Sequence, residues 1–295
     1  MEKLTGTGVA LVTPFNVKGE VDYVSLEKLT EHVITGGVEY LVPLGTTGES
    51  VTLNKDEKIE IVNTVIRVNN KRIPVVLGLG GNNTAEIIST IRSTDFNGIS
   101  ALLSVSPYYN KPSQAGLYEH YKLISETSPV PVILYNVPGR TSSNLTAETT
   151  LKLARDCKNI PAIKEASANF DQFMKIIKDK PDHFMLISGD DNYSLPVIAA
   201  GASGVISVVA NVFPKQYSGM VRLCLEGKFE EARKIHYLLF DFINLLFTDG
   251  NPAGIKAALN IAGICENYFR LPLVPGSSET YSRLSVEMKK IMQKG

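Results

Sequence analysis

Lys164 lies within NIPAIKEASANF (159–170), where a short apolar strand is expected. A protonated amine is costly in an apolar interior, so such a lysine must be paired, hydrated or neutral. A neutral amine is a nucleophile, and with a carbonyl compound it forms an imine. The bland alternative is a structural ion pair with a carboxylate from another strand. Glu165 is a poor candidate for that role, because successive strand residues face opposite sides. On this residue alone both readings stand.

Four other stretches carry chemistry-bearing side chains. GTTGES (45–50) reads in two compatible ways. It is a strand-to-helix turn whose hydroxyls cap the next helix, or a cradle for a carboxylate built from backbone N–H groups and threonine hydroxyls at a helix N-terminus. No GK[ST] follows, so it is not a nucleotide-binding Walker loop. SPYYNKP (106–112) holds Tyr108 and Tyr109 in a proline-flanked loop, which suits an oligomer contact as well as a site. In YNVPGRT (135–141), Tyr135 can pass a proton and Arg140 can grip a carboxylate with both arms of its fork. Asp190 and Asp191, in SGDD (188–191), suggest helix capping more than a metal. The four histidines (His32, His120, His183, His236) show no HxxxH or HExxH spacing. Cys157, Cys224 and Cys265 form no CxxC pair and read as reduced core thiols. No metal site is expected.

The elements that must position these residues follow from the hydrophobic pattern. The chain has 295 residues, 44% of them apolar and 20% charged, enough for a large core. Thirty basic residues balance thirty acidic ones, so nothing favours nucleic acid or an anionic membrane as partner. MEKLTGTGVALVTPF lacks the apolar run of a signal peptide and no segment approaches a membrane span, so a cytoplasmic location is expected. Eight short apolar runs recur, at 8–14, 40–45, 74–80, 99–105, 131–137, 161–166, 184–190 and 204–210. Each is nearly continuous in apolar character, as strands covered on both faces are, and segments of helical period separate them. SLEKLTEHVITGG (25–37) is one such segment, ending in a glycine pair suited to a C-cap. Order and length fit an α/β fold, a (β/α)8 TIM barrel over residues 1–224. Residues 225–295 read as a helical extension, with helices at 228–247, 252–264 and 281–293 and no strand between them. All four stretches then fall at the carboxyl ends of strands, on the face where this architecture builds its active sites, while Lys164 sits on strand six itself.

GTTGES, SPYYNKPSQ, LYNVPGRT, AIKEAS, SGDD and GVISVVAN, in this order and spacing, closely resemble the dihydrodipicolinate synthase family of pyruvate-dependent class I aldolases and lyases. The resemblance runs from GVALVTPF to FRLPLVP. It implies a lyase of the diaminopimelate route to lysine that joins pyruvate, held as a lysine Schiff base, to L-aspartate 4-semialdehyde with no cofactor. By motif, Lys164 is the imine-forming lysine, and Thr46, Tyr135 and Tyr109 are the proton relay, Tyr109 reaching in from a neighbouring subunit. Thr47 matches the ligand of the pyruvate carboxylate and Arg140 that of the semialdehyde carboxylate. Gly189 and Ile206 match backbone positions lining the site. A homotetramer made of two tight dimers is implied.

One departure concerns regulation. Lysine-inhibited members often carry two histidines after GES, where this chain reads GESVTLNKDEK with Lys55 and Lys58. Ser50, Asn82, Glu86 and Tyr108 still match an effector-site pattern, but two added cations disfavour a cationic effector, so weak or absent lysine feedback is expected. NPAGIKAAL also departs from the usual NPIPVKAAL, with no evident catalytic consequence. Rival readings are another pyruvate-dependent aldolase, such as an N-acetylneuraminate lyase or keto-deoxy-sugar acid aldolase, a pyridoxal-phosphate enzyme, and a non-catalytic metabolite-binding barrel.

Overall fold

The computed structural model describes residues 4–294. Its eight strands, all parallel, are β1 (Gly6–Ala10), β2 (Tyr40–Val42), β3 (Val76–Gly78), β4 (Ala101–Val105), β5 (Val132–Asn136), β6 (Ala162–Glu165), β7 (Met185–Ser188) and β8 (Gly204–Ser207). They pair in the order β2-β1-β8-β7-β6-β5-β4-β3. The ring closes between β2 and β3 through the bridge Leu41↔Val75 and the bonds Leu41 N–H to Pro74 and Gly78 N–H to Pro43. The fold is a TIM barrel, as expected, and every anticipated strand is present.

β1 ends earlier than its apolar run. The N–H of Val12 is held by the Asn211 side chain at 3.3 Å, the Thr13 hydroxyl donates to the Gly48 carbonyl at 2.6 Å, and Pro14 has no N–H to give. With those groups engaged elsewhere, strand pairing stops although burial does not.

Strand residues divide between two apolar layers. Val9, Leu41, Leu102, Leu134, Ile163, Leu186 and Val205 face the helices and join the larger core. Tyr40, Val42, Val76, Leu103, Ile133, Tyr135, Ala162, Ile187 and Ile206 fill the barrel. Gly8 makes room there, since a Cβ on it would sit 2.1 Å from the Tyr40 ring.

The helices around the barrel are α1 (Tyr23–Thr35), α2 (Lys55–Asn69), α3 (Thr84–Ser93), α4 (Gln114–Thr127), the single turn α5 (Pro138–Thr141), α6 (Ala147–Asp156), α7 (Phe170–Asp179), α8 (Ser194–Ala199) and α9 (Pro214–Leu225). α1 shows why they form and where they stop. Asp22 caps its start by accepting from Ser25 N–H, and Leu26, Leu29, Thr30 and Val33 lie on one buried stripe. Gly37, at a φ of 83°, turns the chain away.

The three helices expected beyond the barrel are α10 (Phe229–Leu246), α11 (Ala253–Ile261) and α12 (Ser278–Lys294). Phe242 of α10 meets Phe213 edge-on at 5.1 Å, and Leu239, Phe242 and Leu284 belong to the same core as the barrel's outer layer.

Candidate active site

Strand alternation puts Lys164 on the same side of β6 as Ala162, facing the barrel interior, and its neighbour in register on β5 is Tyr135. Lys164 is 5% exposed, and its Nζ lies 4.3 Å from the centre of the Tyr135 ring. It forms no ion pair among the described residues. The structural ion pair allowed by the sequence is therefore not what holds this lysine. The ring face supplies a weak cation–π contact in its place.

Space beside the amine is cut by Gly189, at the end of β7. A Cβ there would stand 3.0 Å from Lys164 Cε and 2.6 Å from the Ala166 Cβ. Asp190 follows. Burial and the neighbouring Asp191 push its carboxyl above the usual range, and the charge of Lys164 pulls it partly back. Asp191 is a cap: its Oδ2 accepts from the N–H groups of Val208 and Val209, each at 3.0 Å, where β8 turns into a 3-10 turn at Val209–Asn211. Ile206 is buried in the interior layer, on β8.

Behind β6, Glu165 points the other way, as alternation requires. It is fully buried and accepts from Asn136 Nδ2, from Gln172 Nε2 at 2.8 Å and from Ser167 N–H at 2.8 Å. Burial raises its pKa and these donors offset part of the rise. Asn136 follows Tyr135 and Glu165 follows Lys164, so this cluster ties together the ends of the two strands that carry the amine and the phenol.

GTTGES folds as two 3-10 turns, Thr46–Gly48 and Ser50–Thr52, joined at Glu49. The hydroxyls of this loop do not cap α2. Asn54 does, in a reciprocal capping box with Glu57, because seven residues lie between Thr47 and the first residue of the helix, Lys55. Thr47 is buried and its hydroxyl accepts from Asn251 Nδ2 at 3.0 Å, whereas Thr46 is half-buried and no hydrogen bond joins it to Tyr135. Arg140, on α5, is exposed and reaches the Asn251 carbonyl at 3.5 Å. Asn251 thus touches both proposed carboxylate ligands. The one signal for it in the sequence is the unusual NPAGIKAAL stretch.

Tyr109 is not brought to this centre. It is 88% exposed, at a φ of 72°, on the loop after β4. Of the effector-site candidates, Asn82 donates to the Tyr108 carbonyl at 3.4 Å. Glu86 is on the first turn of α3, Lys55 and Lys58 are on that of α2, and Ser50 opens the second 3-10 turn. No ion pair links the two lysines to Glu86 among the described residues.

A family model described as the dihydrodipicolinate synthetase family matches residues 3–291. The chain belongs to that family. A relative from Flavobacterium psychrophilum, named 4-hydroxy-tetrahydrodipicolinate synthase, is 51% identical over 291 residues, 99% of each chain. The dihydrodipicolinate synthase of Thermotoga maritima superposes with a TM-score of 0.95 at 41% identity, covering 98% of both chains. A chloride-inhibited family member from Acinetobacter baumannii, solved with pyruvate, gives a TM-score of 0.95 at 38% identity and covers 98% of this chain and 99% of that one. The family's shared architecture is thus present from end to end. No helix among the described residues is long and apolar enough to cross a membrane.

Proposed function

We propose that this protein is a 4-hydroxy-tetrahydrodipicolinate synthase, a Schiff-base-forming lyase acting on pyruvate and L-aspartate 4-semialdehyde. The observation that carries the reading is a buried lysine without a carboxylate partner among the described residues, set over a tyrosine ring at the carboxyl end of a barrel strand.

Lys164 attacks the keto carbon of pyruvate. Loss of water leaves an imine, and loss of a methyl proton gives an enamine, the iminium acting as electron sink. The nucleophilic carbon adds to the aldehyde of the semialdehyde, whose oxygen takes a proton. The semialdehyde's own amine then attacks the imine carbon, closing the ring and displacing Lys164 as a free amine.

Tyr135, with Thr46, carries the protons. Thr47 and the N–H groups of its turn receive the pyruvate carboxylate, and Arg140 the carboxylate of the second substrate. Gly189 and Ile206 shape the wall. Tyr109, standing in solvent on its own chain, completes the relay of a second subunit, within a cytoplasmic homotetramer built as a dimer of dimers. Lys55 and Lys58 beside the effector positions make lysine feedback weak, so sub-millimolar L-lysine leaves the rate unchanged.

Borohydride reduction with pyruvate, followed by peptide mass spectrometry, tests the core of the reading. A pyruvate-derived adduct on Lys164, absent from Lys164→Ala, together with product formation from the semialdehyde, is the expected result. Folded protein without the adduct would return the barrel to a binding role; an adduct without turnover of the semialdehyde would point to another aldolase acceptor.

A further inference from the structure

Glu49 and Lys256 form an ion pair whose two side chains are both fully buried. They come from opposite parts of the chain, Glu49 from the turn after β2 and Lys256 from α11 in the helical extension. Removing one partner of such a pair leaves an uncompensated charge in the core, so each constrains the other strongly. Burial pushes the Glu49 carboxyl up and the Lys256 ammonium down, and each is pulled back by the other.

Lys256 is fixed from every side. Its Nζ donates to the Tyr268 carbonyl at 2.9 Å and lies 4.2 Å from the Phe15 ring centre and 4.6 Å from that of Phe269. Arg270 covers Phe15 as well, at 4.6 Å, and donates to the Thr52 carbonyl at 3.0 Å.

The backbone at Glu49 supplies an independent observation. Its φ is 51°, in the left-handed region that L side chains rarely adopt and that glycine reaches without strain. Glu49 is the junction of the two 3-10 turns. Its N–H closes on the Thr46 carbonyl at 3.1 Å, and its own carbonyl receives Thr52 N–H at 3.0 Å. Glycine would relieve the strain but has no carboxylate to offer. The strain is held because the side chain is tied down at its far end.

We propose that the Glu49–Lys256 pair is a positioning device, by which the C-terminal extension sets the Thr46–Thr47 turn at the geometry that receives the substrate carboxylate. The proposal rests on the proposed function's assignment of that turn to pyruvate. Asn251, five residues before Lys256, acts on the same turn through the Thr47 hydroxyl. The segment from Asn251 to Lys256 therefore holds it at two points.

The test is the double variant Glu49→Gln/Lys256→Met, which removes both charges and so avoids a lone buried ion. Its melting temperature should lie near that of the unaltered enzyme. Its KM for pyruvate should rise by about tenfold to a hundredfold, the scale on which a small misplacement of a binding group is felt. At saturating pyruvate, borohydride should still label Lys164 fully, while kcat falls as well because Thr46 of the same turn belongs to the proposed proton relay. An unchanged KM in the folded double variant would make the pair merely structural and overturn the proposal. If the double variant does not fold, Lys256→Arg decides. That variant keeps the charge but moves it, so a raised pyruvate KM supports positioning and an unchanged KM overturns it. Failure of the unaltered enzyme to form any pyruvate adduct would instead sink the function assigned to the site, a result separable from either of these.

Discussion

Lys164 and Tyr135 face one another across the β5–β6 pair, in register, with the amine nitrogen 4.3 Å from the ring centre. In the roles proposed for them, this couples a nucleophile and a proton carrier through backbone pairing alone. Tyr135→Phe keeps the ring and loses the hydroxyl. The adduct with pyruvate should still form, while kcat falls by about a hundredfold to ten-thousandfold, the usual worth of a positioned acid–base group. Steady-state kinetics beside borohydride trapping would check it, and unchanged kcat would remove Tyr135 from the relay.

Gly189→Ala places a methyl group against the Ala166 Cβ and the Lys164 side chain. Ala166 is short and fixed to its backbone, so the lysine or the strand end must move. A cost of about 1–3 kcal/mol in denaturant unfolding is expected, as for overpacking elsewhere. Pyruvate trapping should slow at least about tenfold, since the amine is displaced from its attack geometry.

Asn251→Ala removes the donor to the Thr47 hydroxyl and disturbs the carbonyl that Arg140 meets. Both substrate KM values should rise, each by about threefold to tenfold, the value of one ordinary hydrogen bond, with kcat little changed. A rise in only one of the two would confine Asn251 to that carboxylate.

His120 is buried on α4, its Nδ1 2.8 Å from the Thr84 hydroxyl, and burial drives its pKa down to about 4. The unfolded imidazole binds a proton from about pH 6.5 downward, the folded one only near pH 4. Its contribution to stability is therefore complete above pH 6.5 and is lost as the pH falls through that window, up to roughly 3 kcal/mol. Urea midpoints at pH 7 and pH 5 should diverge more for the unaltered protein than for His120→Gln, which carries no proton to gain.

The eight strands are legible because burial on both faces writes each as a nearly continuous apolar run, and Lys164, with Glu165 beside it, stands out as a charge in the middle of one. The limits of that reading are equally physical. β1 was read too long because Leu11 to Val12 are apolar and buried, while what ends the strand is a bond from Val12 N–H to Asn211, 199 residues away. Of the two compatible readings of GTTGES, capping fails because Asn54 is nearer to the helix and takes that role. Asn251 and Lys256 passed unseen because their partners lie about two hundred residues upstream. A lysine in a helix also reads as a solvated face, whereas residues 253–259 of α11 are buried throughout.

Lys164 and Tyr135 both belong to the barrel's strands, but the Thr46–Thr47 turn is held by residues near the end of the chain. During synthesis, β5 and β6 are complete long before residues 251 to 256 leave the ribosome. A nascent or prematurely stopped chain thus carries the amine without the anchor for its substrate, and a Glu49 carboxylate without its counter-ion. On that proposal, the anchor for the substrate carboxylate and the counter-ion of Glu49 arrive with the same few residues, well after the strands that carry the amine and the phenol.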